Sequence, residues 1–190
     1  MSADFAAARL NMVESQVRPS DVTDHALQDA IRVVARESLL PAAKAFAAYA
    51  DAEVEYAPGR WLMRPRDVTK LLQALGPRAG ERALAIAAPY AAAVLDAMGV
   101  KVTRLDEGDL SVAPAGAFDL IISEGSVSRA PESWKSALAA GGRLGVVERN
   151  GPMGKAFVHV RADDGVGGRA SFDAAPPYLP GFEPVHGFAF

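Results

Sequence analysis

The stretch that decides the fold is ALAIAAPYAAAVLD, residues 83–96. Its first four residues suit a buried strand, and an alanine-rich helical stretch begins after Ala87, Ala88 and Pro89. A short apolar strand that runs directly into a helix is typical of a βα unit. The joining turn contains no glycine, although a turn whose backbone must approach a ligand commonly uses one.

After this unit, short apolar runs bounded by turn residues alternate with helical stretches, which predicts an α/β fold with a parallel sheet. Near the end, KAFVHVR (155–161) and GRASFDA (168–174) flank a turn and predict an antiparallel hairpin. A proline-rich tail is then predicted to lie extended over the surface. The other predicted elements are strands over 83–87, 100–105, 118–123 and 143–147, and helices over 89–98 and 131–140.

The first 78 residues differ in texture and predict a helical lead-in to the sheet. Their apolar residues recur at helical spacing, and turn residues separate the helical segments. The predicted elements are a helix within 21–40 capped by Thr23 or Asp24, a short helix after Pro41, a linker over 57–64 and a helix from Pro65.

Composition excludes several classes of function. The 190 residues carry a net charge of −3 and no cysteine. Nucleic-acid binding is not expected, because no basic run offers a face to phosphates. Disulfides, thiolate catalysis and cysteine-ligated zinc are excluded, and the three widely spaced histidines suggest no metal site. Without a signal peptide or a long apolar stretch, we expect a cytoplasmic protein that does not bind membranes.

Three stretches together resemble protein-L-isoaspartate O-methyltransferases. RLNMVESQVRPSDVTDHAL (9–27) with VARESLLPAA (34–43) resembles the helical lead-in of that family. AFDLIISEGSVSRAPESWKSALAAGGRLGVV (117–147) resembles its fourth strand, the following helix and the next strand, and FDAAPPYLPGF (172–182) is similar to the C-terminal end of a bacterial branch. The resemblance implies a Rossmann-like methyltransferase sheet of seven strands, mostly parallel with a C-terminal antiparallel hairpin, here shortened and formed by residues 79–190.

The resemblance assigns the opening turn to a cofactor site. In active relatives, a longer glycine-rich turn stands at Ala87, Ala88 and Pro89, where its backbone approaches S-adenosylmethionine and presents N–H groups. Alanine methyl groups fill that space here, and Pro89 has no N–H to donate. Ala85 stands at a position that is acidic in relatives.

One βα unit is predicted to be absent. Relatives run through a further helix and strand before the FDLIIS strand, whereas only residues 106–117 follow strand 100–105 here, and a parallel crossover needs a dozen or more residues. If that strand matches the family's second strand, Asp106 or Glu107 holds the ribose position. If it matches the third, Asp109 faces the adenine. Both interpretations remain open.

The substrate site also departs from the family pattern. Relatives carry a serine in an S-x-P pattern that helps to hold the isoaspartyl substrate, and here Met63 stands at the serine position while Pro65 is retained. Glu124 and Ser126 follow the FDLIIS strand at its carboxyl end, where open α/β sheets place ligands. They are candidates for lining a residual pocket.

The leading hypothesis is a catalytically inactive family member without a cofactor, which acts as a binding or scaffold protein with an unidentified protein partner and can form a homodimer. The first alternative is an active S-adenosylmethionine-dependent protein-L-isoaspartate O-methyltransferase that repairs damaged aspartyl residues. The second is a small-molecule sensor with a remodelled pocket. No catalytic residue is assigned. The candidates for an aromatic partner surface, or alternatively for the core, are Trp61, Trp134, Tyr178, Phe182, Phe188 and Phe190.

Overall fold

One mixed sheet of six strands lies at the centre of the computed structural model, which describes residues 4–184. The helices are α1 (Phe5–Met12), α2 (His25–Val33), α3 (Pro65–Leu75), α4 (Pro89–Ala97) and α5 (Glu132–Ser136). A π-helical turn (Val13–Val17) and 3-10 turns (Arg18–Ser20, Arg36–Leu39, Ala42–Ala47) complete the lead-in. The strands are β1 (Val54–Ala57), β2 (Arg60–Leu62), β3 (Arg82–Ile86), β4 (Lys101–Leu105), β5 (Phe118–Val127), β6 (Leu138–Arg149), β7 (Gly154–Ala162) and β8 (Gly165–Asp173).

The strand order in the sheet is β4-β3-β5-β6-β7-β8. The first four of these strands are parallel, and β7 and β8 continue the sheet as an antiparallel hairpin. This arrangement confirms the predicted α/β class, the mostly parallel sheet and the C-terminal hairpin, whose strands close on the turn residues Asp163 and Asp164.

The edge of the sheet at β4 is where the fold is shortened. β4 pairs directly with β3, from Arg82 opposite Lys101 to Ile86 opposite Leu105. Residues 106–117 then lead to β5 without a helix or strand, and no strand lies beyond β4 in the described part of the chain. The described sheet therefore has six strands where the resemblance implies seven, and the 100–105 stretch lies next to the first strand of the sheet.

Both faces of the sheet are covered. Side chains alternate along a strand, so Ala83 and Ala85 enter a core shared with the lead-in, α3 and α4, whereas Leu84 and Ile86 enter a second core with Trp134 of α5. The short apolar run in the sequence is thus explained by burial on both sides, as expected for a central parallel strand.

The structure corrects the predicted linker over 57–64. These residues form most of a β-hairpin, in which β1 and β2 pair from Val54 opposite Leu62 and turn at Pro58 and Gly59. Gly59 has φ +68°, a conformation that glycine adopts without strain. The alternation of side chains on either side of this proline-glycine turn is the hairpin signal that the linker interpretation overlooked.

Two predicted helices are shorter in the structure. Asp24, one of the two predicted caps, caps α2, because its side chain accepts a hydrogen bond from Leu27 N. The helix ends at Val33. The helix predicted over 131–140 is wrong beyond Ser136, because β6 begins at Leu138. Gly141 and Gly142, which directly follow the predicted helix, lie inside this strand.

Candidate functional site

The turn between β3 and α4 keeps a glycine-type backbone without a glycine. Ala87 has φ +44°, and the left-handed region costs a residue with a side chain about 1–2 kcal/mol. The turn is held on both sides: Ala87 N donates to Leu105 O at 2.9 Å, and the Tyr56 hydroxyl donates to Ala87 O at 3.2 Å. The surrounding hydrogen bonds therefore hold Ala87 in this conformation.

The start of α4 is capped by a buried carboxylate from β5. Hydrogen bonding within the helix begins with Ala92 N and Ala88 O, and Pro89 has no N–H, so Tyr90 and Ala91 carry the free donors. Both donate to Glu124 Oε1, at 2.9 and 2.8 Å. A helix N-terminus favours an anion, and here the protein supplies that anion itself.

The same carboxylate is linked to a buried arginine through Met63. Glu124 Oε2 accepts a hydrogen bond from Met63 N at 3.1 Å, and Met63 O accepts one from Arg36 Nη2. Arg36 Nε also donates to Ala48 O at 2.8 Å, and the guanidinium carbon lies 4.6 Å from the centre of the Tyr90 ring. Arg36 and Glu124 are both fully buried, so a connected polar network crosses the interior beneath the turn.

The two buried charges depend on each other. Burial raises the pKa of Glu124, while the Arg36 charge and the three backbone N–H donors favour its ionised form. Burial likewise lowers the pKa of Arg36, and Tyr90 and Glu124 oppose that shift. Charged groups in a protein interior are tolerated when an opposite charge compensates them and hydrogen bonds satisfy them. Here the two charges compensate each other, and Arg36 Nη1 has no hydrogen-bond partner among the described residues.

The C-terminal tail covers the carboxyl end of β3. Ser126 N donates to Pro177 O and Leu179 N donates to Ser126 O, both at 2.9 Å. β6 pairs with Ser126 on one side of β5. The tail therefore lies on the opposite side of β5, which β3 occupies earlier along the strand, at Leu120 to Ser123. Leu179 is buried against Gly125, where an added Cβ would lie 2.8 Å from its Cδ2 atom.

These contacts leave the crevice at the ends of β3 and β5 filled. Ala87, Ala88, Pro89 and the stretch 123–127 are all buried. Ser123 Oγ and the Tyr90 hydroxyl have no hydrogen-bond partner among the described residues, but both are enclosed. At this position Glu124 occupies the donors at the start of α4, and the residues around them are buried.

The acidic candidates after β4 lie outside this buried region. Asp106 is half-buried, and its Oδ2 atom lies 2.8 Å from Arg104 Nε. Glu107 and Asp109 are exposed. Asp109 accepts hydrogen bonds from the hydroxyl and the backbone N–H of Ser111, which lower the pKa of Asp109. Among the three, Asp106 directly follows β4, as expected if that strand matches the second strand of the family.

The structure brings together two candidates that the sequence kept apart. Met63 belongs to the substrate pattern and Glu124 to the end of β5, and the two residues share a hydrogen bond. Pro65, two residues after Met63, begins α3. Sequence reasoning missed Arg36 and Tyr56. A single arginine in the lead-in and a tyrosine near a turn carry no signal of burial by themselves.

The structure describes four of the six candidate aromatic residues and two of the three histidines. His159 Nε2 lies 3.1 Å from Glu148 Oε1, and the residues described hold no group of three or more side chains that could bind a metal ion. Trp134 is fully buried and donates to Leu110 O, with the Phe182 ring 5.5 Å away. Trp61 and Tyr178 are half-buried. His186, Phe188 and Phe190 lie outside the described residues.

Within the described residues, no helix is long and apolar enough to cross a membrane.

Comparison with solved structures defines the fold. One protein-L-isoaspartate O-methyltransferase matches with a TM-score of 0.72 and 18% identity, over 91% of this chain and 66% of that chain. Another, from Plasmodium falciparum and in complex with S-adenosyl-L-homocysteine, matches with a TM-score of 0.74 and 15% identity, over 94% and 99% of the two chains. The fold is that of a Rossmann-like methyltransferase.

Sequence relatives give the family. The protein-L-isoaspartate O-methyltransferase of Methylorubrum populi is 33% identical over 181 residues, covering 81% of this chain and 85% of that protein. The Methylorubrum extorquens protein of the same name is 32% identical over 184 residues, covering 83% and 80%. No family model matches the chain. The chain belongs to the protein-L-isoaspartate O-methyltransferase family.

Proposed function

We propose that this family member does not bind S-adenosylmethionine, transfers no methyl group and acts as a non-catalytic binding protein. The observation that carries the proposal is the hydrogen bonding of Glu124 Oε1 to Tyr90 N and Ala91 N. The carboxylate takes the donors that the start of α4 would offer to a ligand, and the surrounding crevice is buried.

The energy needed to open this crevice supports the proposal. A ligand at the start of α4 has to displace Glu124, which takes its carboxylate away from three backbone N–H donors and removes a negative charge that compensates the buried charge of Arg36. Leaving a buried charge uncompensated costs about 3–5 kcal/mol, and micromolar binding requires about 8 kcal/mol. The ligand would also have to move Leu179 and the tail from the end of β5.

The chemistry of methyl transfer leads to the same conclusion. Transfer to a carboxylate depends mainly on holding the two reactants in position, so an enzyme of this kind needs its binding surfaces more than any single catalytic side chain. Met63 uses its backbone to bridge Arg36 and Glu124 at the position where the resemblance places a substrate serine. The positions that the resemblance assigns to cofactor and substrate are therefore hydrogen-bonded to each other within one internal network.

The test is calorimetric titration of the full chain with S-adenosylmethionine and S-adenosylhomocysteine up to millimolar concentration. The Methylorubrum populi relative is titrated in parallel to show that the ligand preparation can bind, and circular dichroism checks that the chain is folded. We expect no binding heat from this chain and clear heat from a control that binds. Micromolar binding by this chain would overturn the proposal.

The competing function is isoaspartyl methylation, which the curated relatives carry as their name. A direct assay incubates the chain with an isoaspartyl peptide and S-adenosylmethionine labelled in the methyl group. Transfer of label above a no-enzyme blank would establish the active alternative, whereas our proposal expects label at the blank level while the relative methylates the peptide.

A further inference from the structure

The outer edge of β4 presents unpaired backbone groups. Lys101 N donates to Glu81 O, and Leu105 O accepts from Ala87 N. In a parallel ladder, alternate residues bond to alternate sides, so Lys101, Thr103 and Leu105 bond to β3. The N–H and C=O groups of Val102 and Arg104 consequently point away from the sheet, and no described strand lies beyond them.

The segment after β4 forms no strand along this edge, although its residues 114–117 line one surface pocket together with Lys101, Val102 and Thr103. Residues 106–117 pack towards α5, because Ala113 N donates to Ser133 Oγ and Leu110 O accepts from Trp134 Nε1, both at 2.8 Å. Natural sheets protect exposed edges with proline, bulges, very short strands or charged side chains. Of these devices β4 has the exposed charges of Lys101 and Arg104, which oppose pairing unless the partner supplies opposite charges. β4 contains no proline or glycine, and its pairing with β3 is regular over all five residues.

The opposite edge of the sheet is protected in this way. β8 contains Gly165, Gly167 and Gly168, and its pairing with β7 has an irregularity that leaves Ser171 without a partner. Glycine weakens a strand and a bulge bends its edge. The two edges therefore differ, and β4 is the one suited to pairing with another strand.

We propose that a second copy of this chain pairs with β4 in antiparallel orientation, about a two-fold axis at Thr103. In that register Val102 forms a hydrogen-bonded pair with Arg104 of the partner subunit, and the reverse pair forms by symmetry. The four bonds use all four outward groups of each copy's Val102 and Arg104, and Thr103 faces its equivalent in a non-hydrogen-bonded pair. A two-fold pairing of this kind is closed and joins two six-stranded sheets.

Charge favours a second copy as the occupant. Lys101 at the start of β4 and Glu107 just after its end are both exposed, and neither forms an ion pair with another described residue. Antiparallel pairing brings the start of one strand beside the end of the other. Lys101 then lies near Glu107 of the partner subunit, and opposite charges across strands stabilise pairing.

The first experiment measures mass by light scattering over a range of protein concentrations. We expect a concentration-dependent rise from 19.9 kDa towards twice that value. Arg104→Pro removes an outward N–H but no bond to β3, so it should leave a folded monomer. Arg104→Ala is the matched control, because it removes the side chain and keeps the N–H, and it should still dimerise.

The second experiment uses the absence of cysteine from the chain. A non-hydrogen-bonded pair separates its Cα atoms by about 4.5 Å, which lies within the range for a disulfide. Thr103→Cys should therefore cross-link to a covalent dimer under mild oxidation, whereas Ala170→Cys on β8, at the opposite edge of the sheet, should form no disulfide-linked dimer. A wild type that is monomeric at every concentration would overturn the proposal. A dimer that resists Arg104→Pro and gives no Thr103→Cys cross-link would overturn it as well.

Discussion

Arg36 and Glu124, two fully buried residues of opposite charge, hydrogen-bond to the two backbone groups of a single residue, Met63. Arg36 donates to its carbonyl oxygen and Glu124 accepts from its N–H. The arrangement fixes the start of α3 against both the lead-in and the end of β5. Because Glu124 also caps α4, a change at either charged residue should be felt across the whole interior.

The first prediction concerns the carboxylate itself. Glu124→Gln should lower the free energy of unfolding by about 3–5 kcal/mol, because it leaves the Arg36 charge uncompensated and buried. The measurement is urea denaturation followed by circular dichroism. Glu107→Gln is the control, since that side chain is exposed, and it should change stability by less than about 0.5 kcal/mol. Equal effects of the two substitutions would contradict the assigned role of Glu124.

The second prediction is energetic coupling between the two charges. Arg36→Met keeps much of the side-chain volume and removes the charge, and it should be strongly destabilising alone. Combined with Glu124→Gln, it should cost less than the sum of the two single changes, by about 0.5–3 kcal/mol, as for residues in one network. The same denaturation measurement on all four proteins completes the cycle. Simple additivity would show that the charges act independently.

The third prediction compares two neighbouring alanines. Ala87→Gly relieves the strain of a left-handed conformation. It also removes a buried methyl group and makes the unfolded chain more flexible, and both of these changes destabilise the fold. Because the effects oppose each other, stability should stay within about 0.5 kcal/mol of wild type. Ala88 has φ −129°, so Ala88→Gly has the losses without the relief and should destabilise by about 1.5 kcal/mol. Thermal melts of both variants distinguish the positions. Equal destabilisation would mean that Ala87 is not strained.

The fourth prediction concerns acid sensitivity. The hydrogen bond from His159 lowers the pKa of Glu148 from its ordinary value. A lowered folded-state pKa gives stability that is present above the unfolded pKa of about 4.3 and is lost as pH falls through the folded pKa. Unfolding free energies from about pH 5.5 to pH 3 should therefore show the gap between wild type and Glu148→Gln closing in acid. A gap that stays constant to the lowest pH would contradict this linkage.

Local signals in the sequence explain what could be predicted of the fold. The run 83–86 and the proline at the start of α4 carry strand and helix information within a few residues, and the structure places both elements there. The Asp24 cap is likewise a contact over three residues. The hairpin at Pro58 and Gly59 was also a local signal. It was overlooked because its two strands, four and three residues long, give too short an alternation of side chains to stand out in the sequence.

Long-range contacts explain what the sequence could not reveal of the site. Met63 and Glu124 are 61 residues apart in the chain, and neither residue type predicts that a backbone N–H and a carboxylate will meet. The position of Glu124 at the carboxyl end of a strand marked it as a candidate for a pocket. The fully buried environment that gives it a capping role depends on Arg36, the tail and α4 together.

The shared dependence of Arg36 and Glu124 also constrains how this interior could change over evolutionary time. Removing either residue first leaves the other as a lone charge in the core, so each single step passes through a destabilised intermediate. Restoring glycine at Ala87 would not free the amides of Tyr90 and Ala91, because the carboxylate would still hold them. A lineage with this arrangement can therefore alter the turn gradually, but it can reopen the start of α4 only through paired substitutions.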